Sequence, residues 1–138
     1  MGAVVGAVCI APGYASDPEE VPAPILAKIV RILAGRAGSP GRVACTDSRL
    51  SEELRKLGVQ IDPEAMVAWA GTLGEVKTLR SSRKLIICGR LDFLPPGGCI
   101  AVVVEEERPA IYLHMRHLGA CKVLIPPDLY DISTRMSR

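Results

Sequence analysis

The sequence predicts a small α/β domain of three layers, in which helices cover both faces of a mostly parallel β-sheet that carries an added antiparallel hairpin. Three observations predict it. Short apolar runs alternate with segments of helical period through the first ninety residues, the pattern of strand–helix–strand crossovers. The run Leu85-Ile86-Ile87-Cys88 is apolar without alternation, as a strand covered on both faces must be. Two later runs, Cys99 to Val104 and Ala110 to Met115, flank the charged turn Glu105-Glu106-Glu107 and read as a hairpin.

The elements follow in order. Val21 to Ala34 predicts the first helix, with Ile25, Ile29, Ile32 and Leu33 forming one apolar stripe, prolines suited to its first turn and Gly35 as its stop. Arg42 to Thr46 is a short strand. Asp47 or Ser48 caps a second helix whose apolar face is Leu50, Leu54 and Leu57 and which Gly58 ends. Val59 to Ile61 and Met66 to Ala70 are further strands, and Gly71 leads into a helix over Leu73 to Leu79. Lys84 to Cys88 is the last parallel strand. In the hairpin, Ile111, Leu113 and Met115 fall on one face and Tyr112 and His114 on the other, non-core face. Leu118 to Ile132 predicts two short helices broken at Pro126-Pro127. Such an arrangement is Rossmann- or flavodoxin-like.

The 138 residues suit a single domain, and 49% hydrophobic with 23% charged residues is a globular composition. Seventeen basic and 15 acidic residues give a net charge of +2, scattered along the chain. Scattered charge and 4% aromatic content argue against a nucleic-acid or membrane-surface partner. Met1 to Ala15 is small, apolar and uncharged, and acidic residues follow it at once. It reads as the core and cleavage site of a secretory signal peptide without its positive n-region, as a start codon placed too far downstream would leave it. The competing reading is a buried first strand over Ala3 to Ile10. The expected organisation is a leader over 1–15 and one domain over 16–138. No apolar run is long enough to span a membrane.

Of five cysteines, four follow the leader: Cys45, Cys88, Cys99 and Cys121. An even number in an exported chain makes disulfides an expectation, with three pairings open; buried thiols are the plainer reading of Cys45 and Cys88. No spacing makes CxxC, so neither a zinc site nor a thioredoxin-type motif is expected. Gly89-Arg90-Leu91-Asp92 follows a strand end, where open parallel sheets bind ligands. Neither GxGxxG nor a Walker lysine follows, and no cofactor or metal is expected. His114 and His117, the two histidines, have no clustered carboxylates nearby in sequence and read as surface or interface residues. No GxSxG elbow is present, so the chain is not expected to be an enzyme.

The stretch from Lys84 to Ser133 resembles the YfiR-like family of exported regulators. The resemblance runs through Leu85 to Gly89, Phe93, Gly97-Gly98 and Ile100 to Val104. It continues through Ile111-Tyr112-Leu113-His114-Met115, then Val123 and Ile125, then Leu129-Tyr130-Asp131-Ile132-Ser133. The helix Pro24 to Leu33 and the strand Val43 to Thr46 also fall where that family has them. His114 stands where the family has asparagine, Lys122 where it has glycine, and the family's cysteine before the third strand is missing from Ala65-Met66-Val67. The resemblance implies a periplasmic repressor that binds the sensor part of a membrane diguanylate cyclase and so controls cyclic-di-GMP and biofilm. A docking patch of Tyr112, His114 and Leu118 is then expected, with a homodimer interface as the rival use of the same residues. The alternative function is a small-molecule sensor using the strand ends near Gly71 and Gly89.

Overall fold

In the computed structural model, residues 21–38, 41–121 and the backbone of 134–136 are described. The predicted leader, Cys9 and the predicted Pro126-Pro127 break lie outside these residues. The chain is α/β, with elements in the order α1 (Ala23–Arg36), β1 (Arg42–Val43), α2 (Ser48–Lys56), β2 (Gln60–Ile61), β3 (Val67–Ala70), α3 (Leu73–Arg80), β4 (Leu85–Cys88), a 3-10 turn at Leu91–Phe93, β5 (Ile100–Glu105), β6 (Arg108–His114), α4 (Met115–Ala120) and β7 (Thr134–Met136).

The sheet grows outward from β3 and β4. These strands pair in parallel, Val67 opposite Leu85 through Ala70 opposite Cys88, and all eight of their residues are buried. β5 continues the parallel set beside β4, β6 returns antiparallel from Ile100–Leu113 to Glu105–Arg108, and β7 pairs parallel with β6. On the other side, a bridge between Ala44 and Ala68 sets the parallel β1–β2 pair against β3. The resulting order, β2-β1-β3-β4-β5-β6-β7, is a parallel sheet extended by one antiparallel strand. β7 was not expected from the sequence, and it removes β6 from the sheet edge.

Alternation of side chains across the strands assigns each helix to a face. Val67, Trp69, Ile87, Ile100, Val102 and Leu113 share a core with α1 and α2. On the opposite face Leu79 of α3 packs on Ala44, Ala65 and Ala68. The 3-10 turn brings Leu94 and Phe93 over Cys88, Ala101 and Val103. Burying each large aliphatic side chain contributes about 1.5–3 kcal/mol, so these two faces hold most of the stabilisation.

Local chemistry sets the boundaries. Asp47 Oδ1 accepts the Leu50 N–H at 2.9 Å and caps α2, as predicted. Thr72 caps α3 by accepting from the Glu75 N–H at 3.2 Å. Gly58 follows α2 at φ +83°, in the left-handed region that a helix stop requires. Gly98 is fixed by close approach instead: a Cβ there would stand 2.8 Å from Phe93 O and 3.0 Å from Cys88 Sγ. In α1 the stripe is rotated from the predicted one. Leu26, Ala27, Val30, Leu33 and Ala34 face the core, whereas Ile25 and Ile32 are 44% and 60% exposed. Four isoleucine and leucine positions at helical spacing admit two overlapping stripes, and the small Ala27 and Ala34 let the helix lie closer to the sheet on theirs.

The hairpin tip is costly. Glu106 and Glu107 occupy φ +51° and +65°, both left-handed, in the two-residue turn between Glu105 and Arg108. This turn favours Asn-Gly because a non-glycine residue there costs roughly 1–2 kcal/mol. The double variant Glu106→Asn/Glu107→Gly is therefore expected to be more stable than the parent by about 1–2 kcal/mol. Urea unfolding at an unchanged m-value checks this.

Candidate functional site

The three longest helices begin at one edge of the sheet. β1, β3 and β4 all end there, in the Cys45–Asp47 loop, at Gly71 and at Gly89. α2 and α3 start from these ends, and the start of α1 lies beside them. Between the strand ends and the first turn of α1 lies a crevice of about 300 Å³. Val21, Leu26 and Val102 form its apolar wall, and Asp47, Arg49 and Arg90 its polar rim.

Trp69 crosses the floor of the crevice. Gly89 makes room for it, and Gly71 marks where its N–H lies. A Cβ on Gly89 would lie 3.1 Å from Trp69 Cη2, and one on Gly71 would lie 3.5 Å from Trp69 Nε1. The ring therefore spans the ends of β3 and β4 and presents its N–H near Gly71. Trp69 is 8% exposed, and its Nε1 is buried without a hydrogen-bond partner, the one such side-chain atom among the described residues. A buried donor left unpaired costs roughly 1–3 kcal/mol, and native folds rarely tolerate one.

The rim is held by short-range contacts. Arg90 forms a two-pronged ion pair with Asp92, at 2.9 and 3.1 Å, and lies 5.5 Å from the centroid of the Phe93 ring. Asp47 is committed to the α2 cap. Glu75 ties the adjacent loops together, accepting from the Gly71 N–H at 2.9 Å and from the Thr46 hydroxyl. Arg49, exposed on the first turn of α2, is the rim cation that faces no such carboxylate at close range among the described contacts.

A larger apolar cleft of about 700 Å³ lies on the α3 face, where Ala44 and Ala68 leave room beside Leu79. Its polar side chains are already satisfied. Thr46 bonds Glu75, Thr78 Oγ1 donates to Gly74 O, and Lys84 Nζ donates to Pro63 O at 2.6 Å. Trp69 borders this cleft as well, but its other polar side chains are engaged, and the strand-end crevice adds Arg49 and Arg90 on its rim, which makes the smaller crevice the better candidate.

The predicted docking patch is not assembled on the surface. His114 is 1% exposed and Leu118 5%; Tyr112 alone of the three is part-exposed. The reason is that the strand ends at His114 and the chain turns at once into α4. His114 Nδ1 accepts the His117 N–H at 3.3 Å as the helix cap, and the two imidazoles stack at 4.0 Å. His117 Nε2 donates to Pro95 O at 3.0 Å. The histidines, expected at a surface or interface, thus lock α4 against the loop before β5. Met115, predicted on the strand, is the first residue of that helix. Tyr112 donates to the Glu105 carboxylate across the hairpin, which holds its hydroxyl proton and raises its pKa.

No disulfide joins Cys45, Cys88, Cys99 and Cys121 among the described residues, where each is a thiol rather than half of the expected bridge. Cys88 is enclosed by backbone, with Ile100 O and Arg90 O both 3.5 Å from its sulfur and either able to accept its single S–H. Cys99 and Cys121 are neighbours. The contact with the Cys121 thiol, and then burial, push the Cys99 thiol up. Burial likewise raises Cys45. None of these three carries the lowered pKa of a nucleophilic thiol. Among the described residues no group of three or more His, Cys, Asp or Glu side chains could hold a metal ion. No described helix is long and apolar enough to cross a membrane.

No family model and no curated protein matches this chain. The small-molecule reading of the sequence placed its site at the strand ends near Gly71 and Gly89, and both glycines line the crevice; the further signal it did not use was the lone tryptophan two residues before Gly71. The unpaired state of its N–H carries no sequence signal.

Burial lifts the Cys88 thiol from an ordinary value near 9 to about 12. Its neutral form is thus favoured in the fold. That contribution is complete below pH 9 and is lost as the pH rises from 9 to about 12. Unfolding free energy is expected to fall across this window by up to about 1.4 kcal/mol per pH unit from this group. A Cys88→Ala variant, compared with the parent by urea unfolding at each pH, should show a correspondingly shallower decline.

Proposed function

We propose that this domain is an exported, non-enzymatic regulator that binds the periplasmic part of a membrane signalling protein, a diguanylate cyclase, and represses it. The observation that supports it most is the placement of elements from Leu85 onward. β4 is followed by Phe93 in the 3-10 turn, Gly98 held beneath the Phe93 carbonyl, β5, an antiparallel β6 and then a helix. That is the order in which the YfiR-like resemblance sets them. The raised thiols and the structural role of both histidines are in keeping with a binding role. With His114 and Leu118 buried, Tyr112 is the member of the expected patch still open to a partner.

A repressor must bind the inactive state of its target more tightly than the active one, since only differential affinity moves an equilibrium. Deleting the gene is accordingly expected to raise cellular cyclic-di-GMP, and supplying the full chain to restore it. A level that does not change on deletion would retire the cyclase reading. Tyr112→Ala is expected to complement less well than the parent while retaining its melting temperature.

A second reading, a small-molecule binding domain, is favoured by one specific observation: the unpartnered Trp69 N–H in the strand-end crevice. The two readings are compatible, because a ligand in the crevice would be a natural input to a repressor.

A further inference from the structure

We propose that the strand-end crevice is a recognition site for a small organic anion, a carboxylate on a compact apolar body, with Trp69 Nε1 donating to the carboxylate and Arg49 supplying charge. The inference rests on the small-molecule reading above and gives its ligand class.

Four features converge. First, the Trp69 N–H can only donate, so the atom it lacks is an acceptor. Second, that N–H is more than nine-tenths buried and lies beside Gly71, which lines the crevice opposite the first turn of α1. α1 has 14 residues, starts at Pro22–Ala23 and has no side-chain cap among the described residues. Pro24 carries no N–H and that of Leu26 bonds Pro22 O, which leaves the Ala23 and Ile25 N–H groups and the helix dipole to favour negative charge there. Third, the charged side chains on the rim are Arg49, Arg90 and Asp47. Arg90 is paired with Asp92, and Asp47 caps α2 while keeping its negative charge on the rim, so Arg49 is the cation without a close carboxylate partner among the described contacts. Fourth, Val21, Leu26, Phe93 and Val102 close the remainder with apolar surface. A bare inorganic ion would leave that surface wet, whereas an apolar body would fill it. The volume of about 300 Å³ sits at the low end of ligand pockets and suits a body no larger than one ring.

The test is available because Trp69 is the chain's only tryptophan. Its emission can be followed in the full chain during titration with three probes of similar shape and different charge: phenylacetate, phenylacetamide and phenethylammonium. Phenylacetate is expected to perturb the emission saturably and to raise the melting temperature, with an affinity about tenfold or more above the other two. Arg49→Glu should weaken phenylacetate binding about tenfold or more. Arg55→Glu makes the same charge change at the far end of α2 and should leave binding unchanged. Trp69→Phe keeps the ring bulk and deletes the N–H; calorimetry should show weakened binding by a protein whose circular dichroism is unchanged. Equal affinity for all three probes would overturn the anion while leaving the crevice a ligand site. Absence of any saturable response to all three would overturn both. Neither outcome bears on the cyclic-di-GMP test of the repressor reading.

Discussion

The central constraint on this protein is that β3 and β4 have no solvent face. All eight of their residues are buried, so every side chain must meet a covering element, and every backbone N–H and C=O must be paired within the sheet. Coverage on both faces requires crossovers on both sides, which is why α1 and α2 lie over Trp69 and Ile87 while α3 and the 3-10 turn lie over Ala68 and Cys88. Right-handed crossovers then deliver the helix starts to the edge at which the parallel strands end. The crevice is a by-product of that geometry. Two adjacent connections leave the sheet in different directions, and the space between them is not filled.

Within that space, the protein tolerates something it avoids elsewhere. Every other buried side-chain nitrogen or oxygen among the described residues has a partner, including those of loops near the same edge. Glu75 satisfies both the Gly71 N–H and the Thr46 hydroxyl a few ångströms from the indole. The fold therefore has the means to pair donors at this edge, and Trp69 stands apart from them. Glycine at 89 leaves room for the ring, since a Cβ there would press on its benzo edge. A rigid floor bearing one unused donor is the kind of preorganised feature that ligand sites use.

The C-terminal half follows a different logic. β6 is enclosed by β5 on one side and β7 on the other, and α4 closes its end through the stacked histidines. Strain is accepted at the tip, where two glutamates hold a left-handed turn, and is offset by six register pairs between β5 and β6. The strand end that sequence alone would have offered is taken up by the fold.

How much of this was legible in the sequence divides along a physical line. Local signals are strong where a residue acts on its own neighbours. Asp47 as a cap, Gly58 as a stop and the unbroken Leu85–Cys88 run each follow from chemistry within a few positions, and they placed α2, its end and β4 correctly. The α/β class follows from the same alternation. What the sequence could not decide is which of two equivalent surfaces meets a distant element. The core stripe of α1, the burial of His114 and Leu118, the pairing of β7 and the free state of the thiols all depend on where remote segments come to rest. The candidate site is divided between the two groups. The strand ends near Gly71 and Gly89 were legible in the sequence as a ligand edge, whereas the joining of five separate segments around them and the unpaired indole N–H, whose neighbour Glu75 is engaged by the Gly71 N–H and the Thr46 hydroxyl, were decided by tertiary packing.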